Sequence, residues 1–269
     1  MGFDIPEKLL LQTINIIVLA GKSVMQVYSK PFDVEYKEDH SPLTEADKIS
    51  NDIISSGLKV TEYPNILSEE TAQAPYEERK DWKHFWLVDP LDGTKEFVKR
   101  NGEFTVNIAL VHEGEPVFGL IYLPVPQTLY YAIKGQGAYR ILNAGNYTYQ
   151  WNDQLMKVAE KLPLFKTKRD YTIVASRSHL SPETEAYITK EKQKHGTVNT
   201  VSAGSSIKFC IVAEGKADAY PRYAPTMEWD SAAGQIIVEE TGKQVLNVNT
   251  NKPLAYNKKS LLNPSFLVE

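Results

Sequence analysis

Apolar residues crowd the chain between Leu9 and Ala20, and the stretch from Pro6 to about Tyr28 carries them in the pattern of a long helix. The run is too short to cross the roughly 30 Å of a bilayer core. Asp4 and Glu7 precede it and Lys22 follows, whereas a signal peptide wants a basic start and a small-residue cleavage site, so it reads as a buried first helix with no transmembrane segment. A second helix is predicted from Thr44 as N-cap, with Asp47 at the third helical position as a capping-box partner and Ile49, Ile53, Ile54 and Leu58 along one face. Ile66-Leu67-Ser68 reads as a short strand ending in Glu69 and Glu70, and Phe85 to Val88 as another ending in Asp89. Both strands deliver acids.

Phe104 to Val111, Val117 to Leu123 and Leu129 to Ile133 follow as strands separated by Gly and Pro, which suggests an antiparallel sheet. The polar, aromatic stretch from Asn143 to Arg169 reads as irregular and marks a boundary. Beyond it come a strand at Thr172 to Ala175, a helix near Pro182 to Lys194, a strand near Val198 to Val201 and a helix from Ser205 to Glu214. A strand around Ala217 to Arg222, a helix opened by Trp229-Asp230-Ser231 and a last strand from Gln244 to Val248 complete the pattern. The expectation is a mixed α/β fold of alternating α and β layers, with an N-terminal α+β half over residues 1–150 and a C-terminal α/β half over 151–269.

Length and composition narrow the function. The 269 residues are 42% apolar and 24% charged, enough for a sizeable core and against wholesale disorder. With 34 acidic and 30 basic residues the net charge is -4, so no global basic field exists to hold a nucleic-acid polymer. A phosphate ligand would need local positive charge. Cys210 is the single cysteine, which excludes an intramolecular disulfide or a cysteine-based zinc site and suits a reducing cytoplasm. A peripheral place at the inner face of the membrane stays open, as does the oligomeric state.

The most informative segment is Asp89-Pro90-Leu91-Asp92-Gly93-Thr94-Lys95-Glu96-Phe97, set directly after an apolar strand. Two carboxylates three residues apart around a Pro and a Gly can fold inward on one tight turn, where their repulsion is costly unless a hard cation neutralises it. Either acid could instead cap the helix that starts near Thr94. Magnesium and similar ions want oxygen ligands, and two ions need roughly four acidic side chains plus waters. Glu69, Glu70 and Asp230 are the further candidates, although Asp230 could serve only as a helix cap and Glu69-Glu70 only as a solvated pair.

Asp89-Pro90-Leu91-Asp92-Gly93-Thr94, Trp229-Asp230-Ser231-Ala232-Ala233-Gly234 and Ser68-Glu69-Glu70 together resemble the inositol monophosphatase superfamily of magnesium-dependent, lithium-sensitive phosphatases. Lys95-Glu96-Phe97, Asn101-Gly102-Glu103-Phe104-Thr105-Val106-Asn107, Ser41-Pro42-Leu43-Thr44, Tyr220-Pro221-Arg222 and Leu261-Leu262-Asn263-Pro264 are similar to its bacterial CysQ-type branch, the 3'(2'),5'-bisphosphate nucleotidases. The resemblance implies an inositol-monophosphatase-like fold and a magnesium-dependent phosphatase that takes the 3'-phosphate from 3'-phosphoadenosine 5'-phosphate. It implies that Glu69, Asp89 and the Leu91 carbonyl hold one Mg2+, and that Asp89, Asp92 and Asp230 hold a second. It further implies that Thr94 and Asp47 orient and deprotonate the attacking water, with Glu69 close by. For Asp47 a capping role alone would also explain its position.

The amides of Gly93 and Thr94 open a helix, which suits a scissile phosphate. For the uncut phosphate of a nucleotide bisphosphate the candidates are Ser205, Ser206, Lys208 and Arg222; singly, each could be a cap or a surface side chain. Lys95 and His179 are weaker candidates, and Tyr220 or Tyr223 could stack on a base. Cys210 lies in the apolar run Phe209 to Ala213 and reads as a buried, inert thiol. An inositol or sugar monophosphatase and a non-enzymatic divalent-ion module are the alternatives.

Overall fold

The computed structural model describes residues 3–37, 42–150, 152–165, 169–176 and 181–269. Ser41 and His179 therefore lie outside the described residues. The chain opens with helix α1 (Glu7–Tyr28), the hairpin β1 (Val34–Tyr36) and β2 (Pro42–Thr44), then α2 (Glu45–Lys59), β3 (Ile66–Ser68), α3 (Tyr76–Arg79), β4 (His84–Asp92) and α4 (Thr94–Val98). Four further strands follow: β5 (Thr105–His112), β6 (Glu115–Leu123), β7 (Thr128–Ile133) and β8 (Gly137–Ile141). After them come α5 (Asn152–Val158), β9 (Ala159–Lys161), β10 (Tyr171–Ser176), α6 (Pro182–His195), β11 (Val198–Ala203) and α7 (Ile207–Ala213). The last elements are β12 (Tyr220–Arg222), α8 (Glu228–Glu239), β13 (Val245–Asn247) and β14 (Phe266–Val268).

Strands β3 to β9 form one seven-stranded sheet in chain order, parallel at β3–β4 and antiparallel elsewhere. Alternation along the strands gives it two apolar faces. Trp86, Val88, Val106, Ile108 and Leu110 point to the face covered by α1 and α2. Phe85, Leu87, Ala109 and Val111 point to the other, where they share a core with Phe209, Trp229, Ile236 and Ile237 of α7 and α8. α8 lies on this sheet, α7 lies between α8 and the C-terminal strands, and α6 covers those strands from outside. The layers thus alternate α, β, α, β, α.

Close approach at α8 depends on missing side chains. A Cβ at Gly119 of β6 would stand 2.4 Å from Ile236, and one at Gly234 would stand 2.3 Å from the Phe209 ring. The small residues after Asp230 therefore let the helix wedge between sheet and α7. The long apolar run is the core helix α1, with Ile14, Ile17 and Val24 wholly buried, although its length and composition alone would also suit a membrane span.

Several elements were not legible in the sequence. The stretch read as irregular holds α5 and β9, and the latter hydrogen-bonds to β8 as the last strand of the large sheet. β14 near the C-terminus pairs with both β12 and β13, a long-range pairing that no local pattern announces. β12 is shorter than the strand expected from Ala217, and the helix expected from Ser205 begins at Ile207.

Candidate active site

The site forms where the ends of β3 and β4 meet the N-termini of α2, α4 and α8. The Asp89–Asp92 segment is not a tight turn leaving the strand but a bulged continuation of β4. Asp89 pairs with Asn107 and Asp92 with Thr105, so β4 advances three residues while β5 advances two. In a regular strand, residues three apart face opposite ways. The extra residue turns both carboxylates to the same side. Pro90 sits inside the irregularity, where its lack of an N–H costs no ladder bond, and its carbonyl accepts from Ser50 Oγ of α2 at 2.7 Å. Gly93, at φ +92°, then turns the chain into α4; a Cβ there would press on the Glu103 carbonyl at 3.0 Å and on Ser205 Cβ at 3.2 Å.

One carboxylate oxygen each of Glu69, Asp89 and Asp230 lies within 4.8 Å of the others. Asp89 is 1% exposed, and burial together with the charges of Glu69, Asp92 and Asp230 holds its carboxyl well above the usual range. Asp230 is pushed up to about 8 by burial and by Asp92. Glu69 is raised by burial, with Lys37 opposing. Such mutual repulsion among buried oxygens is what a hard divalent cation relieves, and an all-oxygen donor set fits one. Asp92 lies outside the triplet of closest oxygens, but its charge acts on all three groups. Its Oδ2 is engaged by Ser205 Oγ at 2.8 Å and by the Ser206 amide at 2.6 Å. Asp230 also accepts from the Met227 amide at 2.8 Å, so it caps α8 while it faces the triplet.

Asp47 and Thr94 meet beside these acids. Thr94 Oγ1 stands 3.1 Å from both Asp47 Oδ1 and the Leu91 carbonyl. Asp47 Oδ2 accepts from the Thr44 amide at 2.7 Å and from Thr44 Oγ1 at 2.6 Å, completing the capping box of α2. The cap and the Thr94 contact thus use different oxygens. Burial raises the Asp47 carboxyl, against the hydrogen bonds from Thr44 and Thr94.

Asp92, Gly93, Ser205, Lys208, Arg222 and Asp230 line one cavity of about 130 Å³, and Lys95 lines it too. Lys208 is buried, not solvated: its Nζ donates to the Ser205 carbonyl at 2.5 Å and lies 5.4 Å from the centre of the Tyr220 ring. Burial pulls its pKa down to about 8, against the opposing charge of Asp92. Arg222 donates from Nη2 to the Pro225 carbonyl at 3.1 Å, while its buried Nε has no hydrogen-bond partner among the described residues. Tyr220 packs edge-on against Phe209 and Phe266 at 3% exposure, so its ring is a core wall and floor for Lys208, not a free stacking face. Tyr223 packs beside Ile173 and Tyr187. Cys210 is buried, and burial raises its thiol well above the usual range.

Lys37 was not singled out from sequence. Its Nζ bridges Glu69 Oε1 at 2.7 Å and Glu70 Oε1 at 2.5 Å; burial works against its charge, but the two carboxylates raise its pKa. Nothing local marks this lysine, because the pairing spans 32 residues.

This fold and acid-lined cavity define a metal-assisted phosphatase class: the chain belongs to the inositol monophosphatase family, whose model matches residues 6–267. It is 44% identical over 254 residues to the 3'(2'),5'-bisphosphate nucleotidase CysQ of Shigella flexneri, covering 93% of this chain and 94% of that protein. It is 34% identical to the protein of the same name from Haemophilus influenzae, over 97% and 93% of the two chains. The crystal structure of CysQ from Bacteroides thetaiotaomicron, described as a bacterial member of the inositol monophosphatase family, superimposes with a TM-score of 0.90. It is 47% identical, with 98% and 97% of the chains covered.

Proposed function

We propose that this chain is a magnesium-dependent 3'(2'),5'-bisphosphate nucleotidase that hydrolyses 3'-phosphoadenosine 5'-phosphate to AMP and phosphate. The observation that carries the reading is one cavity lined both by acids of the cluster, Asp92 and Asp230, and by two cations, the buried Lys208 and the half-buried Arg222, with Glu69 and Asp89 grouped beside Asp230. An inositol monophosphate has no second phosphate for those cations. The similarity to nucleotidases over more than nine-tenths of the chain supports the same substrate class.

Glu69, Asp89 and the Leu91 carbonyl would hold one Mg2+, and Asp89, Asp92 and Asp230 a second. When bound, the ions neutralise the phosphate charge and make water easier to deprotonate. Thr94 Oγ1, its proton directed at Asp47 and Leu91, keeps lone pairs to accept a hydrogen bond from the attacking water. Asp47, raised by burial, is the proton acceptor behind it, with Glu69 close by. The Gly93 and Thr94 amides face the scissile phosphate. One P–O bond forms to water, whose proton passes to Asp47, as the bond to the 3' oxygen breaks, and that oxygen takes its proton from solvent water. Ser205, Lys208 and Arg222 hold the phosphate that is not cut. The buried Cys210 thiol suits a cytoplasmic enzyme.

Phosphate release from 3'-phosphoadenosine 5'-phosphate and from inositol 1-phosphate, each with Mg2+, with EDTA and with added Li+, tests this. Mg2+-dependent preference for the nucleotide is expected, lost in EDTA and inhibited by Li+. Preference for the inositol ester would overturn the substrate, and no release from either would overturn the enzyme.

A further inference from the structure

Residues 101–107 carry a motif that the metal and phosphate assignments leave unused. Along β5 and its approach the even positions Phe104, Val106 and Ile108 enter the core under α1 and α2. Farther along the opposite face, Ala109 and Val111 are apolar, as a buried layer requires. Glu103, Thr105 and Asn107 are the exception: three alternate polar residues, of which Thr105 is 0% and Asn107 1% exposed. Buried polar side chains are costly unless paired. These three pair in step with three consecutive residues of the turn before α7.

Glu103 Oε2 accepts from the Gly204 amide at 2.8 Å, Thr105 Oγ1 shares a 2.6 Å hydrogen bond with Ser205 Oγ, and Asn107 Nδ2 donates to Ser206 Oγ at 3.0 Å. A strand repeats every two residues and a tight turn presents every residue, so each alternate β5 position meets the next turn position. The fit is close, since a Cβ at Gly204 would lie 3.0 Å from the Glu103 carbonyl. Ser205 is held at φ +52°, a left-handed backbone uncommon for a residue with a side chain, which persists where its surroundings impose it. From that backbone the Ser205 carbonyl accepts from Lys208 Nζ, and the Ser205 hydroxyl donates to Asp92.

We propose that Glu103, Thr105 and Asn107 are positioning residues that lock the 204–206 turn, so that Lys208 and Ser205 face the uncut phosphate while Asp92 faces the scissile one. This rests on the bisphosphate reading above. Glu103 acts through the turn, whereas Thr105 and Asn107 also reach Asp92 Oδ2, at 3.5 and 3.4 Å; through the turn they set the discrimination between bisphosphate and monophosphate.

The test compares 3'-phosphoadenosine 5'-phosphate with adenosine 3'-monophosphate, which lacks the second phosphate, for the unmodified chain, Glu103→Ala, Glu103→Gln and Thr105→Val. Hydrogen exchange at the 204–206 amides is followed in parallel. In Glu103→Ala the KM for the bisphosphate should rise about tenfold with kcat changed by less than about threefold. The monophosphate KM should stay within about threefold, and the turn amides should exchange faster. Glu103→Gln keeps a carbonyl acceptor for Gly204 and should restore both, while Thr105→Val, which also loses its contact with Asp92 Oδ2, should raise the bisphosphate KM and lower kcat on both substrates. In Glu103→Ala, equal losses on the two substrates, or unchanged discrimination with unchanged exchange, would overturn the positioning role. An unmodified chain that does not discriminate the two substrates would instead overturn the substrate reading, and this inference with it.

Discussion

Thr94 Oγ1 reaches Asp47 Oδ1 at 3.1 Å across 47 residues of chain, while the other oxygen of the same carboxylate caps helix α2. One side chain therefore does two jobs that mutation can separate. Asp47→Asn keeps an oxygen to accept from the Thr44 amide but loses the proton acceptor. Its kcat should fall about 10²–10⁴-fold with a melting temperature near that of the unmodified chain. Asp47→Ala should lose both activity and about 1 kcal/mol of stability. A kcat for Asp47→Asn within a few fold of the unmodified value would leave only the cap.

Removal of divalent ions should destabilise the fold in a characteristic way. Asp89, Asp230 and Glu69 repel one another without a cation, so Mg2+ at a hundred times its dissociation constant should stabilise the EDTA-treated protein by about 2.7 kcal/mol. In EDTA, Asp89→Asn should melt no lower than the unmodified chain, because one buried charge is gone, yet should gain nothing on Mg2+ addition. Thermal melts with and without the ion read both effects, and a full Mg2+ response in Asp89→Asn would refute the ligand assignment.

Affinity for the bisphosphate should depend on pH through Lys208. Burial lowers this lysine to about 8, so its cation is present below that pH and lost as pH rises through it. KM for 3'-phosphoadenosine 5'-phosphate should therefore climb between about pH 7.5 and 9. Lys208→Gln should show a high KM that hardly changes over the same range. A KM profile that is the same in both proteins would exclude Lys208 from phosphate binding.

Stability at acid pH should turn on a different pair. Glu214, just after α7, accepts from Arg140 of β8 at 2.6 Å and from Tyr130 of β7 at 2.8 Å, tying the C-terminal layer to the large sheet. Burial opposes its charge, but the bonds from Lys216, Tyr130 and Arg140 hold its pKa below the usual value. Its contribution is thus present above the ordinary carboxylate range and lost as pH falls through the lowered value. Glu214→Ala should cost about 1–3 kcal/mol near neutral pH by removing the acceptor for Tyr130 and for Arg140 Nη1, while Glu160 still pairs with Arg140, and the difference from the unmodified chain should shrink at acid pH. Denaturant titrations at pH 7 and pH 3 measure it.

Much of this protein is written locally in its chain. The 3.6-residue pattern placed the long helices, the capping box at Thr44 and Asp47 marked the start of α2, and apolar runs ending in acids marked β3 and β4. The acids themselves were legible as a motif, since hard-cation chemistry demands those residue types. What the sequence could not show is which way they face. A spacing of three puts Asp89 and Asp92 on opposite sides of a regular strand, and only their register against Asn107 and Thr105 reveals the bulge that turns them together. Lys208 reads as a phosphate candidate that could equally be a surface side chain, and only packing shows it buried; Lys37 is unmarked in the sequence and pairs with Glu69. Ser205 meets Asp92 across 113 residues. Periodicity, capping and residue chemistry act over a turn of helix or a few strand residues, so the chain alone determines them. Burial, charge pairing and the convergence of helix ends depend on segments that meet only when layers pack, and the tertiary structure alone decides those.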